Sequence, residues 1–113
     1  MIGLIAFIFL QGEFLICTTV NRQWNPAVAF DGEKYLVVWE DDRLSDSTDI
    51  WGQFVSKFGT LIDTNFPICV ANSYQIEVDV AFGDSNYLVA WKYIEDCSIW
   101  GQIVSLGGKI YVS

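Results

Sequence analysis

The chain has 113 residues, 52% hydrophobic and 18% charged, enough for one modest core and too apolar for a disordered tail. Fourteen Asp and Glu against six Lys and Arg leave a net charge of −8, which argues against nucleic acid and anionic membrane surfaces as partners. No histidine is present, so Ser-His-Asp and Cys-His nucleophile systems and most zinc sites are excluded.

The first residues, Met1–Leu10, read MIGLIAFIFL. A bilayer span needs roughly 20 apolar residues, so this run predicts no stable membrane span. The first cationic residue is Arg22, and no small-residue cleavage site follows the run. Residues 1–13 are therefore read as a degenerate or truncated secretion leader. From Phe14 onward another pattern takes over: Phe14, Ile16, Cys17 and Gln23 recur as Phe66, Ile68, Cys69 and Gln75, 52 positions on. Residues 14–25 are thus expected to hold the tail strand of a preceding unit, Phe14–Thr19, and a link carrying Trp24.

Unit one, residues 26–71, predicts strands at Ala27–Phe30 and Tyr35–Glu40 around Asp31-Gly32, a strong hairpin signal. A polar loop, Asp41–Thr48, leads to a third strand at Asp49–Ser56, and a turn at Gly59 to a fourth at Phe66–Ala71. Unit two, residues 72–113, repeats this as Val78–Phe82, Tyr87–Lys92, Ser98–Ser105 and Lys109–Val112. The match is residue by residue: Tyr35, Leu36, Val37 and Trp39 return as Tyr87, Leu88, Val89 and Trp91, and Ile50, Trp51, Gly52 and Gln53 as Ile99, Trp100, Gly101 and Gln102. A period near 50 residues signals a repeat architecture. Strands such as Tyr35–Trp39 are apolar on both faces, which predicts that both faces are covered. The expected fold is all-β: tandem four-stranded antiparallel β-meander units like the blades of a propeller, two of them plus an orphan N-terminal strand.

The series Pro26, Val28–Gly32, Tyr35–Trp39, Asp41 and Arg43, then Asp49, Ile50, Gly52, Gln53, Val55 and Gly59, resembles tandem β-propeller-type repeats of large extracellular bacterial and archaeal proteins. The resemblance implies a non-enzymatic scaffold or interaction module outside the cell or on its surface, with no catalytic residues to carry over. Unit two departs from the pattern, with Val78, Tyr93, Glu95 and Ser98 at the places of Pro26, Asp41, Arg43 and Asp49. Propellers close with four to eight blades. Two units therefore predict self-association through exposed blade faces, or pairing with other blades.

Five residues are the candidate ligand contacts: Trp24, Asp41, Asp42, Asp46 and Asp49. Trp24 has Ile76 as its counterpart and could serve as a platform for a protein or glycan ligand. The acidic loop lacks the glycine and terminal glutamate of an EF-hand, and Arg43 sits among its acids, so it is read as a solvated loop in which Arg43 pairs with a neighbouring carboxylate. No catalytic residue, metal ligand or cofactor is assigned. The alternative reading is a remnant of a glycan-binding or glycan-hydrolysing propeller, for which paired acids are the chemistry and a cluster of arginines is missing. Cys17 and Cys69 stand at equivalent places and are read as apolar thiols, with a Cys17–Cys69 bridge the less expected state and the compartment open. Gly52 and Gly101 are expected to make room for a tryptophan, and Gln53 and Gln102 to bond between units.

Overall fold

The computed structural model describes residues 12–17 and 19–110. The expected leader lies outside them except for its last two positions. Among the described residues there is no helix, and the strands form two antiparallel sheets. The first is a meander of β1 (Gln23–Phe30), β2 (Lys34–Asp41), β3 (Asp49–Ser56) and β4 (Leu61–Cys69). The second is β5 (Gln75–Gly83), β6 (Asn86–Tyr93) and β7 (Ile99–Ser105). Where a fourth strand was expected over Lys109–Val112, a single bridge joins Ile110 to Val104, and residues 111–113 lie outside the described set. Residues 12–17 form no strand; they cross the face of the first sheet instead of pairing with an edge.

Local irregularities fall at matching places in the two sheets. The β1–β2 register slips between Trp24 and Ala27, and the β5–β6 register between Ile76 and Asp79, each 52 positions on. Within the slips Asn25 and Glu77 take φ of 52° and 57°. Pro26 and Pro67 lie on β1 and β4, the edge strands, at or beside a register shift, where a missing N–H costs no ladder bond. After β3 and β7 the chain turns at Gly59 and Gly108 with φ of 87° and 86°, closed by Gly59 N–H to Ser56 O and Gly108 N–H to Ser105 O at 3.0 and 2.9 Å.

The two sheets pack face to face, β5 lying against β1, β2 and β3. Leu36, Val38, Ile50, Phe54 and Ile68 of the first meet Val78, Val80, Tyr87, Val89, Trp91 and Val104 of the second in one buried core. On the other face of the first sheet Val37, Trp39, Trp51 and Val55 form a smaller core, covered in part by Ile16 and Cys17. Strands β2 and β3 are therefore buried on both faces, as their unalternating sequence requires. Strand β6 alternates instead, with Tyr87 fully buried and Leu88 half exposed.

Gly52 serves this packing, though not by admitting a tryptophan. A β-carbon there would stand 2.9 Å from Ile68 Cδ1 and 3.3 Å from both Leu36 Cδ1 and Phe66 Cζ. At Gly101 the nearest atoms, Leu88 Cδ1 and Val89 O, are at an ordinary 3.5 Å. Gly52→Ala is expected to cost about 1–3 kcal/mol by overpacking, and Gly101→Ala to stay within about 0.5 kcal/mol, measured by urea unfolding of dilute protein. Equal losses at both positions would contradict this account.

Candidate functional site

The loop after β2 and the strand ends beside it hold the acidic residues. The expected solvated loop holds only at its tip, Leu44–Asp46: Asp41 is fully buried, and Asp42 and Asp49 nearly so, because each finds a donor within the fold. Asp41 accepts hydrogen bonds from Trp39 Nε1 at 2.8 Å and from Arg43 at its backbone N (2.9 Å), Nε (3.0 Å) and Nη2 (2.8 Å). Burial alone would raise the Asp41 pKa; the bonds from Arg43 and Trp39, with the guanidinium charge, more than offset this and hold it below the usual carboxylate range. Arg43 also lies 3.8 Å over the Trp51 ring, reaches Cys17 Sγ at 3.3 Å and donates to Asn65 Oδ1 at 3.1 Å. One guanidinium thus joins the loop, β3, β4 and the N-terminal segment.

The remaining acids are tied individually. Asp42 takes Arg22 at its backbone N (2.8 Å) and Nε (3.1 Å). Glu40 Oε2 accepts from Asn25 Nδ2 at 2.7 Å and, across the sheets, from the Glu77 N–H at 2.9 Å. Asp46 offers its carbonyl to the Tyr74 hydroxyl at 3.1 Å. Asp49 is almost fully buried and accepts from the Ala71 N–H at 3.2 Å. Burial raises its pKa, and nearby Asp41 adds to that against the bond from Ala71.

The sign of the Asp49 shift follows from linkage. A carboxyl with a raised folded pKa stabilises the fold below its unfolded pKa, about 3.9, and that stability is lost as pH rises through the folded value. At neutral pH the ionised group is a burden. Asp49→Asn keeps an acceptor for Ala71 and is expected to raise the urea midpoint at pH 7, the gain over wild type closing on acidification. A lower midpoint at pH 7 would show that the charge itself is needed.

Among the described residues no group of three or more Cys, Asp or Glu side chains is placed to hold a metal ion. Asp41, Asp42 and Asp49 face separate protein partners, so the loop presents no shared carboxylate cluster. Cys17 and Cys69 are free, partly buried thiols, and Cys97 is exposed.

Trp24 lies in β1 opposite Glu40, about a third exposed, with the Arg22 guanidinium 5.0 Å from its ring centroid. It borders a cleft of about 320 Å³ that also touches Leu15, Asn25 and Trp39. A neighbouring apolar groove of about 320 Å³ runs along the same face of the first sheet, between Phe14 and Ile16 on one side and Pro26, Val28, Tyr35 and Val37 on the other. The cleft and the groove adjoin on the outer face of the first sheet.

Polar contacts between residues distant in the chain also hold the sheets together. The Tyr87 hydroxyl donates to Asp31 Oδ2 at 2.9 Å and to Lys34 O at 3.3 Å. Burial opposes ionisation of Asp31, yet bonds from Lys34, Glu33 and Tyr87 lower its pKa to about 2. Thr48 donates its hydroxyl to Gln75 O at 2.7 Å and accepts the Gln75 N–H at 3.2 Å. These partners lie far apart in the chain, and no local pattern marks them. Gln53, by contrast, bonds within its own sheet, to the carbonyls of Phe54, Ile62 and Asp63, and not between sheets.

The second sheet lacks the Arg43 arrangement. Tyr93 stands where Asp41 stands in the first, and Trp91 Nε1, counterpart of Trp39 Nε1, is buried without an acceptor. Trp100 is half exposed, with Tyr93 edge-on at 5.3 Å where Arg43 covers Trp51. The chain matches no protein-family model, no curated protein and no solved structure.

Proposed function

We propose that the chain is a non-enzymatic structural module, a pair of propeller-blade-like repeat units whose role is to associate with further sheets of the same kind. One observation carries the reading: equivalent strands are covered unequally. Leu36 and Ile50 are fully buried between sheets, while their counterparts Leu88 and Ile99 are 50% and 73% exposed on the far face of the second sheet. Exposed apolar surface of this kind marks an interaction site. Asp41, Asp42 and Asp49 support the same reading, because their carboxylates are used in tying segments together. Placement outside the cell rests on the resemblance of the repeat motif. No helix among the described residues is long and apolar enough to cross a membrane.

Light scattering at micromolar concentration tests this, with an expected mass above the 12.8 kDa of one chain. A purely monomeric mass would remove the reading. Exposure of Trp24 at the cleft favours a second one, binding of a glycan or peptide there. It predicts a change in tryptophan fluorescence on titration with an oligosaccharide panel, lost in Trp24→Ala.

A further inference from the structure

The N-terminal segment and the outer edge of the second sheet are two halves of one contact. Phe14, Ile16 and Cys17 correspond to Phe66, Ile68 and Cys69 of β4. Ile68 is buried in the inter-sheet core against the second sheet, with Phe66 and Cys69 packed beside it. Ile16 and Cys17 pack against Val37, Trp39, Trp51 and Val55; three of the counterparts, Val89, Trp91 and Val104, share the core with Ile68, while the fourth, Trp100, is half exposed. The segment therefore already sits on the first sheet as β4 sits on the second. Among the described residues it pairs with no sheet edge.

Such a sheet edge exists on β7. In the first sheet β4 pairs with β3 through Gly52–Phe66, Trp51–Pro67 and Ile50–Cys69. The equivalent edge of β7, Ile99–Gly101, has no strand partner among the described residues, and all three positions are exposed. Val104–Ile110, counterpart of Val55–Leu61, begins the same pairing.

The faces behind these edges match as well. The groove on the first sheet is lined by Pro26, Val28, Tyr35, Val37 and Val55. Their counterparts 52 or 49 positions on, Val78, Val80, Tyr87, Val89 and Val104, are the buried face that the second sheet turns toward the first. The far face of the second sheet carries Leu88, Ala90 and Ile103, counterparts of Leu36, Val38 and Phe54, which fill the opposite side of that same core. The internal interface thus supplies both halves of an external one.

From this juxtaposition we infer that a second copy of this chain docks head to tail on the far face of the second sheet, its Phe14–Cys17 segment adding to β7 as the fourth strand. The register is Gly101 opposite Phe14, Trp100 opposite Leu15, and Ile99 opposite Cys17 of the second copy. Leu88 and Ile103 enter the groove beside Tyr35 of that copy. The contact is heterologous, so it propagates into a ring or an open filament rather than stopping at a two-fold dimer. Lys92 occupies the place of Glu40 and cannot accept the backbone N–H that Glu40 accepts, so the external contact is weaker than the internal one. The inference rests on the reading of the chain as an associating module.

Disulfide trapping tests it, since cross-strand partners in an antiparallel pair lie within bridging range. With Cys69→Ser and Cys97→Ser, Ile99→Cys can bridge to Cys17 or to the same position of another copy, and only the bridge to Cys17 is lost in Cys17→Ser. Mild oxidation is expected to convert at least half of the chain to dimers and a ladder of larger species on a non-reducing gel, dissolved by reductant and abolished by Cys17→Ser. A second pair, Leu15→Cys with Trp100→Cys in a background lacking the native cysteines, changes two exposed positions and keeps the test open if Ile99→Cys disturbs the fold. Leu44→Cys replaces Cys17 as the collision control, because Leu44 is exposed on the acidic loop. An oligomeric mass with no ladder from either pair, or an equal ladder from Leu44→Cys, overturns this pairing and leaves the associating-module reading standing. A monomeric mass overturns both.

Discussion

Arg43→Ala is expected to lower the unfolding free energy by about 3–5 kcal/mol, the loss typical of stripping one partner from a buried ion pair. Asp41 is fully buried, and without Arg43 its carboxylate keeps only the Trp39 indole among its side-chain donors. The same substitution uncovers the Trp51 ring and removes the link to Asn65, which itself donates to Ile16 O at 3.2 Å. Total stability of a domain this size is on the order of 5–15 kcal/mol, so the variant stands near the limit of folding. Asp41→Asn in the Arg43→Ala background is expected to recover part of the loss, because it removes the stranded charge. Urea unfolding of the two variants at pH 7 checks both statements. A loss below about 1 kcal/mol would place the pair with ordinary surface salt bridges.

Leu36→Ala and Leu88→Ala form the second experiment, two identical substitutions 52 positions apart with opposite expected results. Leu36 is fully buried between the sheets, and its truncation is expected to cost about 2–5 kcal/mol through lost transfer energy and the cavity left behind. Leu88 is half exposed, and its truncation is expected to change the stability of the dilute chain by no more than about 0.5 kcal/mol. At higher protein concentration Leu88→Ala is expected to weaken association, since stability is linked to any partner that binds only the folded state. Comparable losses at both positions in dilute protein would show that the far face of the second sheet is already covered within one chain.

These experiments probe places where like sequences meet unlike surroundings. The motif Tyr-Leu-Val-x-Trp predicts a strand covered on both faces, and β2 has that cover: one face against the second sheet, the other partly under Ile16 and Cys17. Strand β6 carries the same motif with one face open. Apolar patterning reports what a strand requires of its neighbours, not whether they are present. The paired acids show the same division. That Arg43 pairs with an acid beside it was legible, because Asp41 lies two positions away. The partners of Asp42, Glu40 and Asp31 include Arg22, Glu77 and Tyr87, brought close by folding. A charge count cannot foresee them.

By itself the sequence determined the all-β class, the hairpin at Asp31-Gly32, the span of β3 at Asp49–Ser56, and the equivalence of positions 49 or 52 apart. Each of these rests on local physics: turn residues that tolerate positive φ, β-branched and aromatic runs, and a side-chain pattern read over a few neighbours. Tertiary structure alone decided that β4 begins at Leu61, that Gly52 admits Ile68 and Phe66, and that Gln53 turns inward to its own sheet. It also decided that Phe14–Cys17 lies on a sheet face instead of pairing at an edge. A strand becomes a strand only when another offers its ladder of N–H and C=O groups, and that offer comes from residues distant in the chain or from another copy of it.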